Sequence, residues 1–399
     1  MTSVQEVGDG GVALTIGPDY PELRDAVRRV CADYPAEYWR KLDDVRGYPT
    51  EFVKALTQAG FLGALIPEEY GGSGLPLRAA AVILEEINAS GCVASPAHAQ
   101  MYIMGTLLRH GNADQKQRYL PKIASGELRL QAFGVTEPTT GSDTTQLKTR
   151  AEKKGNDRYV VNGQKVWTSR ALHSDLMLLL ARTTPADKVQ KRSDGLSVFL
   201  VDLRTSVGKG VEIRPIKALI NHNTTEVFFD NLEVPAENLI GEEGKGFRYI
   251  LDGMNAERIL VATECIGDGR WLLKKGIDYA NDRRVFGRAI GQNQGVQFPL
   301  ARVYAELEAA DLMCRRAAAL FAAGQPCGAD ANMAKLLASE ATWHAAEVTM
   351  EVHGGFGFAQ EYDVERKWRE ARIYRTAPIS TNMVLAYVAQ HVLGLPRSY

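Results

Sequence analysis

Charge imbalance is nearly absent from this chain of 399 residues: 47 Lys and Arg stand against 48 Asp and Glu, a formal net charge of −1. A surface built for nucleic acid or anionic lipid needs a basic excess, so neither partner is expected. Long apolar runs are missing too, and none approaches the ~20 residues that cross a bilayer. The first stretch, Met1 to Gly17, has no basic segment followed by an apolar one, so a secretory signal is not expected and a soluble, cytoplasmic protein is. Cysteine is scarce. Cys31, Cys92, Cys265, Cys314 and Cys327 are odd in number and show no Cys-x-x-Cys spacing, which argues against a disulfide framework or a zinc site and fits reduced thiols. The seven histidines also lack ligand spacing, so no metal is expected and core or surface roles suit them better.

What is present is an ordinary globular composition, 45% hydrophobic, in a chain long enough for two or three layered units. Apolar residues recur at helical spacing from about Pro18 to Leu128, in Glu22–Cys31, Glu51–Ala59, Leu77–Ala89 and Tyr102–His110. The period becomes two between Leu130 and Leu239. Strands are predicted over Arg158–Val161, Leu176–Ala181, Leu196–Val201, Val211–Pro215 and Glu226–Phe229. Helical periodicity returns from Gly241, over Phe247–Ala280, Gln297–Ala323, Ala331–His353 and Thr381–Leu393, and two of these are long enough for a bundle. An α+β multidomain layout follows, with units at 1–129, 130–240 and 241–399. That order of elements names no function.

Two strings carry more. Phe133-Gly-Val-Thr-Glu-Pro-Thr-Thr-Gly-Ser-Asp143 reads as a short strand ending in a polar turn, and Gly163-Gln-Lys-Val-Trp-Thr-Ser169 as a strand ending in an aromatic and two hydroxyls. Thr-Glu-Pro alone is ordinary turn chemistry. Side by side, the two ends present backbone N–H groups, hydroxyls and one large aromatic face to a flat polar ring. Together they strongly resemble the flavin-contacting loops of acyl-CoA dehydrogenases. Further strings match that family in order: Arg283-Arg-Val-Phe286-Gly287 followed by Gln294, Glu351-Val-His-Gly354-Gly355-Phe-Gly357, and Arg369-Glu-Ala-Arg-Ile373.

The resemblance implies the family's three domains: N-terminal helices, a middle β-barrel domain and a C-terminal four-helix bundle. It implies FAD as cofactor, held by Phe133, Val135, Thr136, Gly141, Ser142, Trp167, Thr168 and Ser169. Trp167 has a core aromatic as its plainer reading. By the same resemblance Arg283, Phe286, Gln294, Glu351, Gly354, Gly355, Ser380 and Asn382 also bind the cofactor, and Arg283 and the Gly354-Gly355 turn reach the flavin of a neighbouring subunit, which implies a homo-oligomer, usually a tetramer. Arg283 would pair bidentately with the pyrophosphate, or else be a solvated helix charge. Ser142 and Arg258 are implied substrate contacts, acyl-CoA the substrate and electron-transfer flavoprotein the acceptor.

Removing the α-proton of a thioester takes a desolvated carboxylate and donors for the enolate oxygen. The position where most of the family carries that carboxylate is Pro378 here, and no Asp or Glu follows Glu370. Proline also lacks the N–H that would hold the thioester oxygen. In isovaleryl-CoA and long-chain members the carboxylate instead precedes an arginine on a long helix. Met254-Asn-Ala-Glu257-Arg258 matches that arrangement. Glu257 is therefore the expected base, against the plainer reading of an ordinary helix-surface charge. Two other readings stay open: a flavin-dependent monooxygenase or oxidase on the same fold, and a non-catalytic FAD-binding relative. Acyl length and branching are not legible.

Overall fold

The computed structural model describes residues 19–397; the reading of Met1–Gly17 lies outside them. Six helices come first: α1 (Pro21–Ala32), α2 (Ala36–Val45), α3 (Thr50–Gln58), α4 (Leu77–Ala89), α5 (Ser95–His110) and α6 (Ala113–Ser125). Helix α6 starts at a reciprocal cap, in which the Asn112 side chain accepts from the Gln115 amide while the Gln115 side chain accepts from the Asn112 amide. Leu77 through Asn88 are all buried, so α4 is an interior helix packed between α1 and the C-terminal helices.

One sheet follows, formed by β1 (Leu130–Gly134), β2 (Arg150–Lys154), β3 (Arg158–Ser169), β4 (Leu176–Arg182), β5 (Leu196–Asp202), β6 (Val211–Pro215), β7 (Thr224–Pro235) and β8 (Leu239–Ile240). A single helical turn, α7 (Leu203–Ser206), leads from β5 towards β6. Strand order is β6-β7-β3-β2-β4-β5-β8, and β1 lies parallel to β4. Strand β4 gives one edge to β5 and shares the other between β1 and, at Arg182, β2. Residues 135–149 leave the sheet at this fork. Alternation along β4 serves two cores. Leu176, Leu178 and Leu180 face α5 and α6, while Met177, Leu179 and Ala181 meet Tyr159, Val161, Val227 and Phe229 of β3 and β7, so the sheet curls on itself.

The C-terminal unit is built on α8 (Gly246–Asp282), a helix of 37 residues and about 55 Å. It packs on α9 (Gln294–Ala322), α10 (Gly328–His353) and α11 (Val364–Ile373), and its other side lies on α4 and α5. A two-strand hairpin, β9 (Arg284–Val285) and β10 (Arg288–Ala289), joins α8 to α9, and α12 (Thr381–Tyr387) ends in a wider turn over Val388–Val392. The predicted helix over Thr381–Leu393 is thus α-helical only in its first half. Three helices (α2, α6, α11) and strand β2 were absent from the predicted segments, although Tyr38, Trp39, Leu42 and Val45 of α2 and Val364, Trp368 and Ala371 of α11 keep helical spacing among many charges. All five cysteines are buried free thiols.

A buried ion pair ties the fork of the sheet to β3. Lys165, fully enclosed, places Nζ 2.9 Å from Glu137 Oε1 and 3.0 Å from the Val135 carbonyl. The Glu137 carboxylate also accepts from the amides of Lys148 (2.6 Å) and Thr149 (2.8 Å). Burial pushes the Lys165 ammonium down to about 8, with the Glu137 charge opposing that shift. Replacing one partner leaves the other as an uncompensated buried group. Lys165→Met is expected to cost on the order of 3 kcal/mol, and Glu137→Gln a similar amount, with the double variant recovering much of the loss. Thermal midpoints of the four proteins at equal concentration check this; strict additivity would remove the pair from the account.

Candidate active site

Helix α5 crosses the middle of α8, and β1 and β4 close the third side. Between them lies a small cavity, lined by Tyr102, Ile103 and Thr106 of α5, Phe133 of β1, Leu178 of β4, and Ile250, Gly253, Met254 and Glu257 of α8. Glu257 contributes the one carboxylate of this lining. It is 5% exposed, and its oxygens have no hydrogen-bond partner among the described residues. Burial pushes its carboxyl up to about 7, against the opposing charges of His98 and Arg258. A group of that strength, aimed into a largely apolar cavity, is suited to take a proton from carbon near neutral pH.

Beside the cavity, residues of the two sequence strings come together. The Val166 amide donates to the Thr136 carbonyl at 2.9 Å, joining the turn after β1 to β3. Pairing of β3 with β7 is then interrupted by a bulge between Lys165 and Thr168. Trp167, inside the bulge, has φ +59° and its indole is 59% exposed. A left-handed tryptophan is costly, and bulges re-aim side chains next to sites. Ser169 pairs with Thr224, Thr168 is buried with Oγ1 unpartnered, and Gly141 and Ser142 are exposed in the loop. A Cβ placed on Gly141 would meet nothing within 4 Å. An uncovered indole on a strained backbone, an orphaned hydroxyl and an open glycine turn fit a flat ring with a phosphate tail.

The second set of predicted residues lies elsewhere in the chain. Arg283 caps the end of α8, about 39 Å along the helix from Glu257. Its guanidinium stands 5.8 Å from the Phe356 ring. Phe286 is 100% exposed at the hairpin, Gln294 opens α9, Glu351 lies in the last turn of α10, and neither Gly354 nor Gly355 would bring a Cβ within 4 Å of anything. Within one chain these residues do not meet Trp167. Arg258 also stays out of the cavity: it bonds Asn255 at 3.1 Å and faces Tyr387 and Cys327. Pro378 belongs to a turn where the Ile379 carbonyl accepts from Lys335 at 2.6 Å, and Ser380 caps α12 next to Asn382. Neither serine, asparagine nor proline lines the cavity.

Several residues of the site escaped sequence reading. His98 and Tyr102 are one turn apart on α5 with rings 5.1 Å apart, and Tyr102 meets Phe133 edge-on. His98 Nδ1 lies 2.9 Å from Glu264 Oε1 on α8. Arg170, 5% exposed, reaches Ser95 Oγ and His222 Nε2, each at 3.4 Å. The available signal was the spacing Ser95, His98, Tyr102, Thr106, a polar stripe on an otherwise apolar helix. Among the described residues no group of three His, Cys, Asp or Glu could hold a metal, and no helix is long and apolar enough to cross a membrane.

Comparison with known proteins covers nearly the whole chain. Residues 18–127, 132–232 and 244–393 match the family models of the acyl-CoA dehydrogenase N-terminal, middle and C-terminal domains. Acyl-CoA dehydrogenase FadE12 of Mycobacterium tuberculosis (strain ATCC 25618 / H37Rv) is 38% identical over 387 residues, covering 94% of this chain and 96% of the relative. The structure of a glutaryl-coenzyme A dehydrogenase–glutaryl-CoA complex superposes with a TM-score of 0.88 at 32% identity, covering 98% of each chain. An FAD complex of PigA superposes with a TM-score of 0.87 at 25% identity, covering 97% of this chain and 100% of that one. With three domain models matched in order and relatives covered almost end to end, the chain belongs to the acyl-CoA dehydrogenase family.

Proposed function

We propose that this enzyme is an FAD-dependent dehydrogenase that converts an acyl-CoA thioester to its trans-2-enoyl-CoA, with Glu257 as the base. The observation that carries this reading is the unpartnered, buried Glu257 carboxylate, raised to about 7, in the cavity beside the Trp167 bulge. Phe133, Val135, Thr136, Gly141, Ser142, Trp167, Thr168 and Ser169 would hold the cofactor, which supplies the acceptor for the β-hydrogen as hydride. Glu257 takes the α-proton onto a carboxylate oxygen, and the electron pair of that C–H bond becomes the new Cα–Cβ double bond as the β-hydrogen leaves. Enclosure by α5, β1 and β4 keeps water from competing for the base. A base retained at Glu257 also supports dehydrogenation over the oxidase and monooxygenase readings, whose attraction was the missing carboxylate at Pro378.

The remaining FAD contacts would come from a second copy. Arg283, Phe286, Gln294, Glu351, Gly354 and Gly355 are exposed at the end of the bundle or its edge and too far along α8 to serve their own cradle. A fully exposed Phe286 is the kind of residue an interface covers. A homo-oligomer, with the tetramer of the family as the first expectation, and electron-transfer flavoprotein as acceptor complete the proposal.

Glu257→Gln is nearly isosteric yet cannot accept a proton. Flavin bleaching by acyl-CoA, followed by anaerobic rapid mixing, should slow by about 10²–10⁴-fold or more, and the wild-type rise in rate as pH passes through about 7 should vanish. Near wild-type bleaching in the variant would place the base elsewhere. The same shift predicts stability. The carboxyl is raised in the folded state above its ordinary 4.5, so its contribution is fully present below that value and lost as pH climbs to about 7. At pH 8 the Gln variant should therefore be the more stable protein, by on the order of 2–3 kcal/mol, with the gap closing by pH 5. Thermal midpoints at the two pH values decide; a less stable variant at pH 8 contradicts a desolvated Glu257. Arg283→Ala should lower the flavin content of the purified oligomer on dilution, and unchanged retention removes Arg283 from the cofactor site.

A further inference from the structure

We propose that Arg170 and Arg366 hold a small monovalent anion of the halide class in a second cavity, where the N-terminal helices, the sheet and the C-terminal helices meet. Its lining shares no residue with the cavity that Glu257 faces, and the inference does not rest on the dehydrogenase reading.

A buried guanidinium has lost its water and needs an answering group. Five arginines are buried among the described residues. Arg24, Arg78 and Arg366 meet carboxylate oxygens at 3.1, 3.7 and 2.9 Å, and Arg182 donates to the carbonyls of Thr184, Asp194, Thr145 and Arg192. Arg170 is the exception. Its Nη1 reaches Ser95 Oγ and His222 Nε2, each at a long 3.4 Å, while Nε has no partner and no ion pair forms with it among the described residues. Glu264 acts on it only from a distance and is itself held 2.9 Å from His98 Nδ1. Arginine does not shed its proton, so the charge stays.

Arg170 lines the second cavity together with Arg366, Ser95, Asn221 and Asn223. Arg366 Nε is unpartnered too, since Asp363 Oδ1 stands 3.8 Å away, beyond hydrogen-bonding distance. The two residues are 5% and 3% exposed. They come from different elements, the link after β3 and helix α11, and each brings a spare N–H to the same space. The asparagines cannot serve these donors. Asn221 gives its amide to the Leu42 and Gly47 carbonyls, and its Oδ1 accepts from Asn223. Ser95 accepts from Arg170 and keeps its own hydrogen to donate. The unused capacity is all on donors, and an acceptor fits them.

Charge and wall chemistry choose the acceptor. The carboxylates of the lining are already answered, Asp43 by Arg369 at 2.6 Å and Glu370 by Arg366 at 2.9 Å and Lys367 at 3.1 Å. His222, facing Arg170, is kept neutral by burial and by Arg170. One cation is thus left over, and it is Arg170. Trp39, Pro49, Val93 and Pro96 supply apolar wall. A strongly hydrated divalent anion would lose much water there and bring a second charge toward Asp43 and Glu370. A halide carries the single charge required and accepts N–H groups from any direction.

The test compares thermal midpoints of the purified protein in sodium chloride and in sodium gluconate at constant ionic strength. The midpoint should rise saturably with chloride, by about 2 °C or more, and bromide should replace chloride. Arg170→Gln should abolish the chloride dependence, whereas Glu257→Gln, in the other cavity, should keep it. A wild-type crystal grown in bromide should show an anomalous scattering peak in contact with Arg170 and Arg366, and this carries the test if Arg170→Gln does not fold. Stabilisation by gluconate or sulfate equal to that by chloride overturns the proposal, as does a chloride dependence that survives Arg170→Gln or is lost in Glu257→Gln. A bromide crystal whose cavity holds only water overturns it as well. A bromide peak without any chloride dependence in solution marks an adventitious ion only, and counts against the site.

Discussion

Everything at the site depends on the enclosure of α8. A glutamate on a surface helix is an ordinary solvated charge. The same residue on a helix covered by α4, α5, α9 and α10 loses its water, and with it the preference for the ionised form. Cores of small residues make that covering possible. Ala256, Ala262, Gly267 and Gly269 let neighbouring helices approach, and a Cβ on Gly267 would lie 2.2 Å from the Glu85 carbonyl. The far side of α8 is held by charge. Asp268 meets Lys367 at 2.6 Å and the Tyr374 hydroxyl at 2.7 Å, while Lys367 also donates to the Cys92 carbonyl at 2.7 Å. This fully buried knot fixes α11 and the start of α5 against α8, and so sets the walls around Glu257.

The sheet solves a different problem, which is to present a large aromatic and several polar groups without losing its own order. Strain is concentrated at Trp167, where the bulge turns the indole out of the pleat. It is held there by hydrogen bonds on both sides: Val166 N–H to the Thr136 carbonyl at 2.9 Å, and Thr225 Oγ1 to the Thr168 carbonyl at 2.7 Å. The Glu137–Lys165 pair anchors the turn from beneath. The Glu of Thr-Glu-Pro is therefore a brace, and its side chain points into the protein instead of toward a ligand.

A carboxyl raised by burial, as at Glu257, stores instability in the folded protein. Such costs concentrate where a ligand relieves them. The proposed division of the cofactor contacts into a cradle on the sheet and an exposed set at the end of α8 would follow a similar logic. Neither half would be complete alone, so assembly and cofactor retention would become one event.

Local signals were legible in the sequence and proved durable. The apolar period located Leu77–Ala89 and Val211–Pro215 to the residue and the three long helices within a few positions, and the turn and Trp-Thr-Ser strings carried the family. Glu257 could be singled out as a candidate because the chain has no carboxylate after Glu370. Charged segments such as VERKWREARI were passed over although Val364, Trp368 and Ala371 keep helical spacing, and α11 turns out to be an anchor of the core. What the sequence determined by itself was the domain order, the family and the candidate residues, since each is written in neighbouring positions or short spacings. Only the tertiary structure decided that Glu257 is desolvated, that Glu137 is a brace, that Arg258 faces away, and that His98 meets Glu264. Those properties come from contacts between residues tens to hundreds of positions apart, as with His98 and Glu264 or Ser95 and Arg170, and no local pattern encodes the distance across which a charge is felt.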